Sequence, residues 1–364
     1  TIILKRSRNG EKMKKVYVDV IQFRGSHYDF GFMQGKLLQN SLLIKNRKKQ
    51  WQVRKPRFAI DVKETKHMFQ AIAPQIWEEL LGLQLALQWP LEQVLLEFGG
   101  YRVNIHPSGC SIYAEKNYLV RNYDYHPKTY DGRFVVFQPH DGGYSVIGPT
   151  QKITGRMDGM NEKGLVMGYN FMNRKRPGDG FVCHMIGRLV LETCASVSEA
   201  VTLLQEIPHR HSFSYCLLDQ HEETPFIVET TPRKVVVRRG TLCTNHFEIL
   251  KEENRRVLED SQQRLAVMKE NTGLTAEEAF RLLNDTKRGV FSKSYRSWAG
   301  TIHTSAYFPK ERIVWFAVGG DQEPYIFDFS RWLRGDDFSV KKMIGMIDTD
   351  LPFPHMDERA DWYR

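Results

Sequence analysis

The sequence predicts an α+β fold: two antiparallel sheets packed together, with helices covering their outer faces. Three observations predict it. Strand-like segments are joined by turns too short for a crossover, such as Lys116-Asn117 between S-I-Y-A-E and Y-L-V-R-N-Y-D, and such turns demand antiparallel pairing. Helical stretches fall in pairs between groups of strands, a segregated order unlike the βαβ alternation of a parallel sheet. The 364 residues, 41% hydrophobic and 26% charged, supply ample chain to bury a core.

The elements follow in order. Residues 1–12 read as a tag or upstream extension, because Met13-Lys14-Lys15-Val16 resembles a natural start. V-Y-V-D-V-I-Q-F, Val16 to Phe23, alternates as a strand does. R-G-S-H-Y-D-F-G-F-M-Q-G-K-L-L then turns into a helix whose Gly31 and Gly35 share one face, a spacing that lets another element approach closely. From Asp61 to about Ala86, Met68, Ile72, Ile76 and Leu80 recur every four residues and predict a helix. Pro90 opens a short helix that Gly99-Gly100 ends. The first hundred residues are therefore mainly helical.

Strand character begins at Cys110, in the hairpin described above. Strands follow at 134–138 and 144–148, and a second hairpin turns at N-E-K-G, 161–164. Helices at 181–193 and 198–207 come next, with Ser196 or Ser198 as N-cap. Four strands follow, S-Y-C-L-L-D, P-F-I-V-E-T, K-V-V-V-R-R and T-L-C-T-N. Helices around 261–269 and 276–284 intervene, the second opened by a capping box of Thr275 and Glu278. T-I-H-T-S-A-Y-F and R-I-V-W-F-A-V-G close the strand-rich part.

Composition narrows the function. The formal charge of +9 falls to +6 without residues 1–12. Its densest basic stretch, Lys45 to Arg57, carries no recognised nucleic-acid motif and reads better as a solvated helix face; a pocket for an anionic substrate is left open. No apolar run approaches the ~18 residues that span a bilayer, and the N-terminus lacks a secretory h-region. Five cysteines without C-x-x-C spacing argue against a disulfide framework or zinc ribbon. Reduced thiols and a cytoplasmic location are the expectation.

The chemistry centres on S-G-C-S-I-Y, Ser108 to Tyr113, and L-V-R-N-Y-D, Leu119 to Asp124. A free cysteine has a pKa near ~8.5 and requires an activator to be a nucleophile. His106 reads as a loop residue, Cys183 and His184 are helix neighbours that do not face each other, and His209 to His211 reads as a loop. A second route exists. If the Gly109–Cys110 bond were broken, Cys110 would carry an α-amine of pKa roughly 7.7–8.0, a general base tethered to its own thiol. The thiol itself makes that cleavage by attacking the Gly109 carbonyl, giving a thioester that water resolves; glycine leaves the carbonyl open.

These residues resemble the start of the mature chain in cysteine N-terminal-nucleophile hydrolases. G-C-S-I-Y…V-R-N-Y-D-Y, R-G-S-H-Y-D-F-G, N-E-K-G-L-V-M-G-Y-N-F and T-N-H-F are most similar to the acyl-coenzyme A:6-aminopenicillanic acid acyltransferase family, with choloylglycine hydrolases, penicillin V acylases and acid ceramidase as more distant kin. The resemblance implies a four-layered αββα fold, a helical pro-segment at 13–109 that stays bound as a small chain, and a catalytic domain at 110–364. By analogy Asp124 accepts from the Cys110 α-amine and Arg121 favours thiolate. In a regular strand positions 121 and 124 face opposite ways, so a bulge near Asn122–Tyr123, or a strand end, is expected. Asn170 and Asn245 match positions near the nucleophile whose amides, or the adjacent backbone N–H groups, are implied to donate to the oxyanion. Arg296 matches a later arginine of choloylglycine hydrolases in chain order, and Arg264 fits the acyltransferase side equally well.

The activity so implied is cleavage or transfer of the acyl group of a small linear amide through a Cys110 thioester, without metal or redox cofactor. An acyl-coenzyme A donor and a homo-oligomer are left open, and no nucleic acid or membrane partner is expected. Two other readings stand beside it: an unprocessed thiol hydrolase with a histidine base, and a binding protein that kept the fold without catalysis. Read blandly, Cys110 is a core cysteine, Arg121 and Asp124 an ion pair, and the two asparagines turn or strand-end residues.

Overall fold

The computed structural model describes residues 5–6, 12–53, 60–103, 108–172 and 176–358. Most of the 1–12 extension, His106, and residues 54–57 of the basic stretch lie outside them. Among the described residues two sheets form, of eleven and seven strands.

In the larger sheet the strand Lys12–Gly25 lies between Lys342–Asp348, antiparallel, and Arg133–Pro139, parallel. Antiparallel pairing then continues through Val146–Gln151, Asp158–Asn161, Val166–Phe171, Phe213–Leu218 and Phe226–Thr230 to Val235–Arg239. The smaller sheet runs Leu242–Cys243, Gly109–Glu115, Tyr118–Tyr125, Ala299–Phe308, Ile313–Val318, Tyr325–Asp328, antiparallel throughout. The expectation of purely antiparallel sheets is corrected at one pair. Lys12–Gly25 and Arg133–Pro139 are joined by a long connection with helices and a whole hairpin in it, which frees them from the geometry a short turn imposes. The mainly helical N-terminal segment thus places a long strand inside the larger sheet.

Helices Cys183–Thr193 and Val197–Glu206 cover the outer face of the larger sheet; Glu259–Glu270 and Ala276–Asn284 cover the smaller. The layers are helix, sheet, sheet, helix. Between the sheets Phe134 stacks on Phe327 and meets Phe316 edge-on. The Thr275–Glu278 capping box forms as predicted.

The Gly31/Gly35 face meets the helix Pro74–Leu87 at backbone contact. A Cβ on Gly31 would lie 2.0 Å from the Glu79 carbonyl oxygen, and one on Gly82 2.1 Å from that of Tyr28. The helix predicted from Asp61 to Ala86 is two helices, Val62–Ile72 and Pro74–Leu87. Pro74 lacks an N–H and drives Ala73 out of the helical region, to φ −152° and ψ 75°. Buried ions then tie this segment to the later chain. His27 Nδ1 is 2.6 Å from Asp141 and its Nε2 3.0 Å from Glu192; Arg188 bonds both Glu192 and, at 2.5 Å, Glu79.

Candidate active site

Cys110 is the second residue of the strand Gly109–Glu115 and is 1% exposed. It pairs with Tyr123, and Ile112 with Arg121. Opposed residues share a face, so Cys110 and Arg121 point between the sheets. Ser111, Asn122 and Asp124 point the other way, toward the covering helices. Asn122 Nδ2 donates to the Leu283 carbonyl of one such helix, and Arg264 Nη1 of the other donates to Ser111 Oγ at 2.7 Å.

Arg121 Nη2 lies 3.2 Å from Cys110 Sγ. Nε and Nη2 also donate to the Tyr169 carbonyl, Nη1 is 3.5 Å from Asp158 Oδ1, and the rings of Tyr123 and Tyr169 flank the guanidinium. Asp158 is held in turn by Ser305 Oγ. Burial pushes the Cys110 thiol up to about 11, and the Arg121 charge pulls against it.

Asp124 stands opposite Gly109. Its Oδ1 accepts from Thr301 Oγ1 at 2.7 Å; its Oδ2 is buried without a hydrogen-bond partner, 4.0 Å from Arg264 Nη1. Burial raises this carboxyl to about 7, against the pull of Arg264 and Thr301. The expected bulge near Asn122–Tyr123 is absent: the hairpin pairs without interruption, and the register shift lies on the other neighbour, between Thr301 and His303. Arg121 and Asp124 therefore serve Cys110 from two faces, one at its sulfur and one beside the peptide that precedes it.

Asn245 completes the group. Its Oδ1 accepts from the Cys110 backbone N–H at 2.8 Å and from Arg264 Nη2 at 2.9 Å, while Nδ2 donates to the Phe171 carbonyl. Arg264 Nη1 also donates to the Cys110 carbonyl at 2.8 Å. Two expectations are corrected. Asn170 spends its Nδ2 hydrogens on the carbonyls of Cys243 and Thr244, so it fixes the chain leading to Asn245 and offers no oxyanion donor. Arg296 is exposed and pairs with Asp350 at 2.7 Å. Its neighbour Tyr295 is anchored under Gly300, with its hydroxyl on the Thr301 carbonyl, which leaves Arg296 facing solvent. The later arginine that reaches Cys110, beside Arg121, is Arg264.

Sequence reasoning missed Asp158, Thr301 and Ser261, whose Oγ accepts from the Asn245 N–H at 2.8 Å. No short-range signal marks them; each acts across strands or helices distant in sequence. Among the described residues, the side-chain and long-range hydrogen-bonding neighbours of Cys110 are Asn245, Arg121, Arg264 and the Asp124 carbonyl, with no histidine ring among them. His184, pushed down to about 3 by burial, packs elsewhere against Gly100 and Gly155. All five cysteines are free thiols.

A buried cysteine with a guanidinium at its sulfur stands at the head of a strand in an αββα sandwich, in an enzyme of the amide hydrolase or acyltransferase class. The chain belongs to the acyl-coenzyme A:6-aminopenicillanic acid acyl-transferase family, whose profile matches residues 113–323, more than half of the sequence, beginning just beyond Cys110. Among solved structures it is similar to a mutant conjugated bile acid hydrolase from Clostridium perfringens, at 14% identity and TM-score 0.46 over 66% of this chain and 97% of that one. It is also similar to penicillin V acylase from Agrobacterium tumefaciens (15%, TM-score 0.43, 70% of this chain and 96% of that one). A Caenorhabditis elegans N-acylethanolamine-hydrolyzing acid amidase ortholog is similar at 12% and TM-score 0.41, over 60% of this chain and 99% of the other. No curated protein sequence matches significantly. No described helix is long and apolar enough to cross a membrane.

Proposed function

We propose that this enzyme processes itself at Gly109–Cys110 and then uses the freed Cys110 α-amine as its base. One observation carries the reading: Asp124, whose Oδ2 is a buried acceptor without a donor, stands opposite Gly109, the residue whose bond to the Cys110 nitrogen cleavage would break. Leaving such an acceptor unpaired costs about 1–3 kcal/mol. The new ammonium has Asn245 Oδ1 and Asp124 Oδ2 for partners.

In processing, the Cys110 sulfur attacks the Gly109 carbonyl, the Cys110 nitrogen leaves with the thiol proton, and water hydrolyses the thioester to a Gly109 carboxylate and free thiol. In turnover the α-amine takes the thiol proton, the thiolate beside Arg121 attacks the amide carbonyl of the substrate, and the α-ammonium returns that proton to the leaving amine. Water regenerates the enzyme as a hydrolase; an amine acceptor makes it an acyltransferase, with an acyl-coenzyme A thioester as alternative donor. The substrate class is a small linear acyl amide. Residues 13–109 remain as a small chain held by the strand Lys12–Gly25 and the His27–Glu192 contacts, with 110–364 as the large chain. Five free thiols suit a reducing, cytoplasmic setting.

Intact mass in denaturant tests this. The expected result is two polypeptides, the larger beginning at Cys110, and one inactive chain for Cys110→Ala. Turnover by a protein whose Gly109–Cys110 bond is whole would refute the amine base.

A further inference from the structure

A second cavity, of about 500 Å3, lies on the outer face of the larger sheet beneath the first two helices. Its floor holds Arg133, which is 6% exposed and whose two Nη atoms are buried without hydrogen-bond partners. The natural counter-ion is spent elsewhere: Asp131 accepts from Arg47 Nη2 at 2.8 Å and from the Ile153 N–H at 2.7 Å. Asp19, also on the wall, pairs with Lys342. Desolvation lowers the Arg133 guanidinium to about 10, against the pull of Asp131 and Asp19.

His355 lines the same cavity. Its Nε2 donates to the Tyr17 carbonyl at 2.8 Å, which leaves the buried Nδ1 as an acceptor without a donor. The ring lies against Gly132, where an added Cβ would come within 2.2 Å of it, so it sits next to Arg133 along the chain. The remaining lining is mixed: Met33, Leu37, Leu38 and Leu43 form an apolar side, with Leu37 57% exposed, and Gln22, Ser41, Lys341 and Asp337, which pairs with Arg24, a polar one.

We propose that this cavity binds an amphipathic monocarboxylate, its carboxylate on the Arg133 fork and its hydrocarbon tail along Met33, Leu37, Leu38 and Leu43. A planar guanidinium with both Nη groups unpaired matches a carboxylate bidentately. The three aspartates around the cavity, Asp19, Asp131 and Asp337, oppose a dianion such as phosphate more than a monoanion. The volume falls within the ~300–1,000 Å3 of small-molecule sites. The walls come from both sides of Gly109, so the bound acid joins the N-terminal segment to the remainder of the molecule. The site is separate from Cys110 and does not depend on the processing chemistry.

Decanoate is the test ligand, measured by equilibrium dialysis on full-length Cys110→Ala, in which no turnover consumes it. The expectation is saturable 1:1 binding, weakened about tenfold or more by Arg133→Met, since a hydrogen bond to a charged group contributes about 1.5–3 kcal/mol. Leu37→Glu, at an exposed position that leaves the core intact, weakens it by repelling the tail. Absence of saturable binding, undiminished binding in both variants, or equal competition by inorganic phosphate overturns the proposal.

Discussion

At Cys110 two charged side chains, Asp124 and Arg121, each have a measurable consequence. Asp124, raised to about 7 by burial, binds its proton more tightly folded than unfolded. A carboxyl shifted that way contributes stability below its unfolded pKa, and the contribution is lost as pH rises through about 7. Uncleaved Cys110→Ala therefore loses stability from roughly pH 4 to 7, and adding Asp124→Asn flattens that slope in urea midpoints taken across the range. Arg121 stands 3.2 Å from the sulfur. In processed enzyme Arg121→Met raises the pH midpoint of Cys110 alkylation by about 1–3 units, the range for losing an adjacent opposite charge; an unmoved midpoint would remove Arg121 from thiolate stabilisation. Cys110, Arg121, Asp124 and Asn245 were legible because short motifs place them on strands or at strand ends. Arg264 and Arg296 were not separable, since each is one arginine in polar sequence. What divides them is burial: Arg264 is drawn inward among Asn245, Ser111 and the Cys110 carbonyl, and Arg296 sits beside an anchored tyrosine.

Among the elements, local rules read well and pairing between distant segments read poorly. The capping box at Thr275 and the glycine face at Gly31 are contained in a few residues, and both form. The break at Ala73 was readable too, since Pro74 outranks a four-residue periodicity that continues through it. The parallel pairing of Lys12–Gly25 with Arg133–Pro139 has no local signal, nor has the docking of Lys342–Asp348 on the former. The glycine face carries its own prediction. Gly31→Ala places a methyl carbon 2.0 Å from the Glu79 carbonyl oxygen, so the two helices must separate. Overpacking of this kind costs about 1–3 kcal/mol, read as a lowered denaturation midpoint, whereas the same change at Gly273, where a Cβ meets nothing within 4 Å, acts only through its φ of +70°.

For the molecule as a whole, the proposed cleavage at Gly109–Cys110 raises the question of what would keep 13–109 with 110–364. Apolar helix faces contribute without regard to pH; the ion network does not. Glu192 is held down to about 2 by Arg188 and His27, in spite of burial that pushes it up. Its contribution is present above its ordinary 4.5 and is lost as pH falls toward 2. His27 is shifted the other way: burial lowers it, and the Glu192 charge more than offsets this, so its pKa is raised from 6.5. That contribution is present below 6.5 and is lost as pH rises through the folded value. Both are fully present between 4.5 and 6.5, so the two chains of the processed enzyme should hold together best in mild acid. The urea concentration that separates them on size exclusion then peaks in that window and declines as pH rises above it. His27→Gln lowers the peak and removes the alkaline decline. Glu192→Gln is worse at every pH above 4.5, because it removes one of the two carboxylates that each of Arg188 and His27 holds in the core, and breaking a buried ion pair costs up to about 3–5 kcal/mol. A His27→Gln curve parallel to wild type across the whole range would mean that the apolar faces alone hold the small chain, and that the buried ions serve only the packing of the helices that carry them.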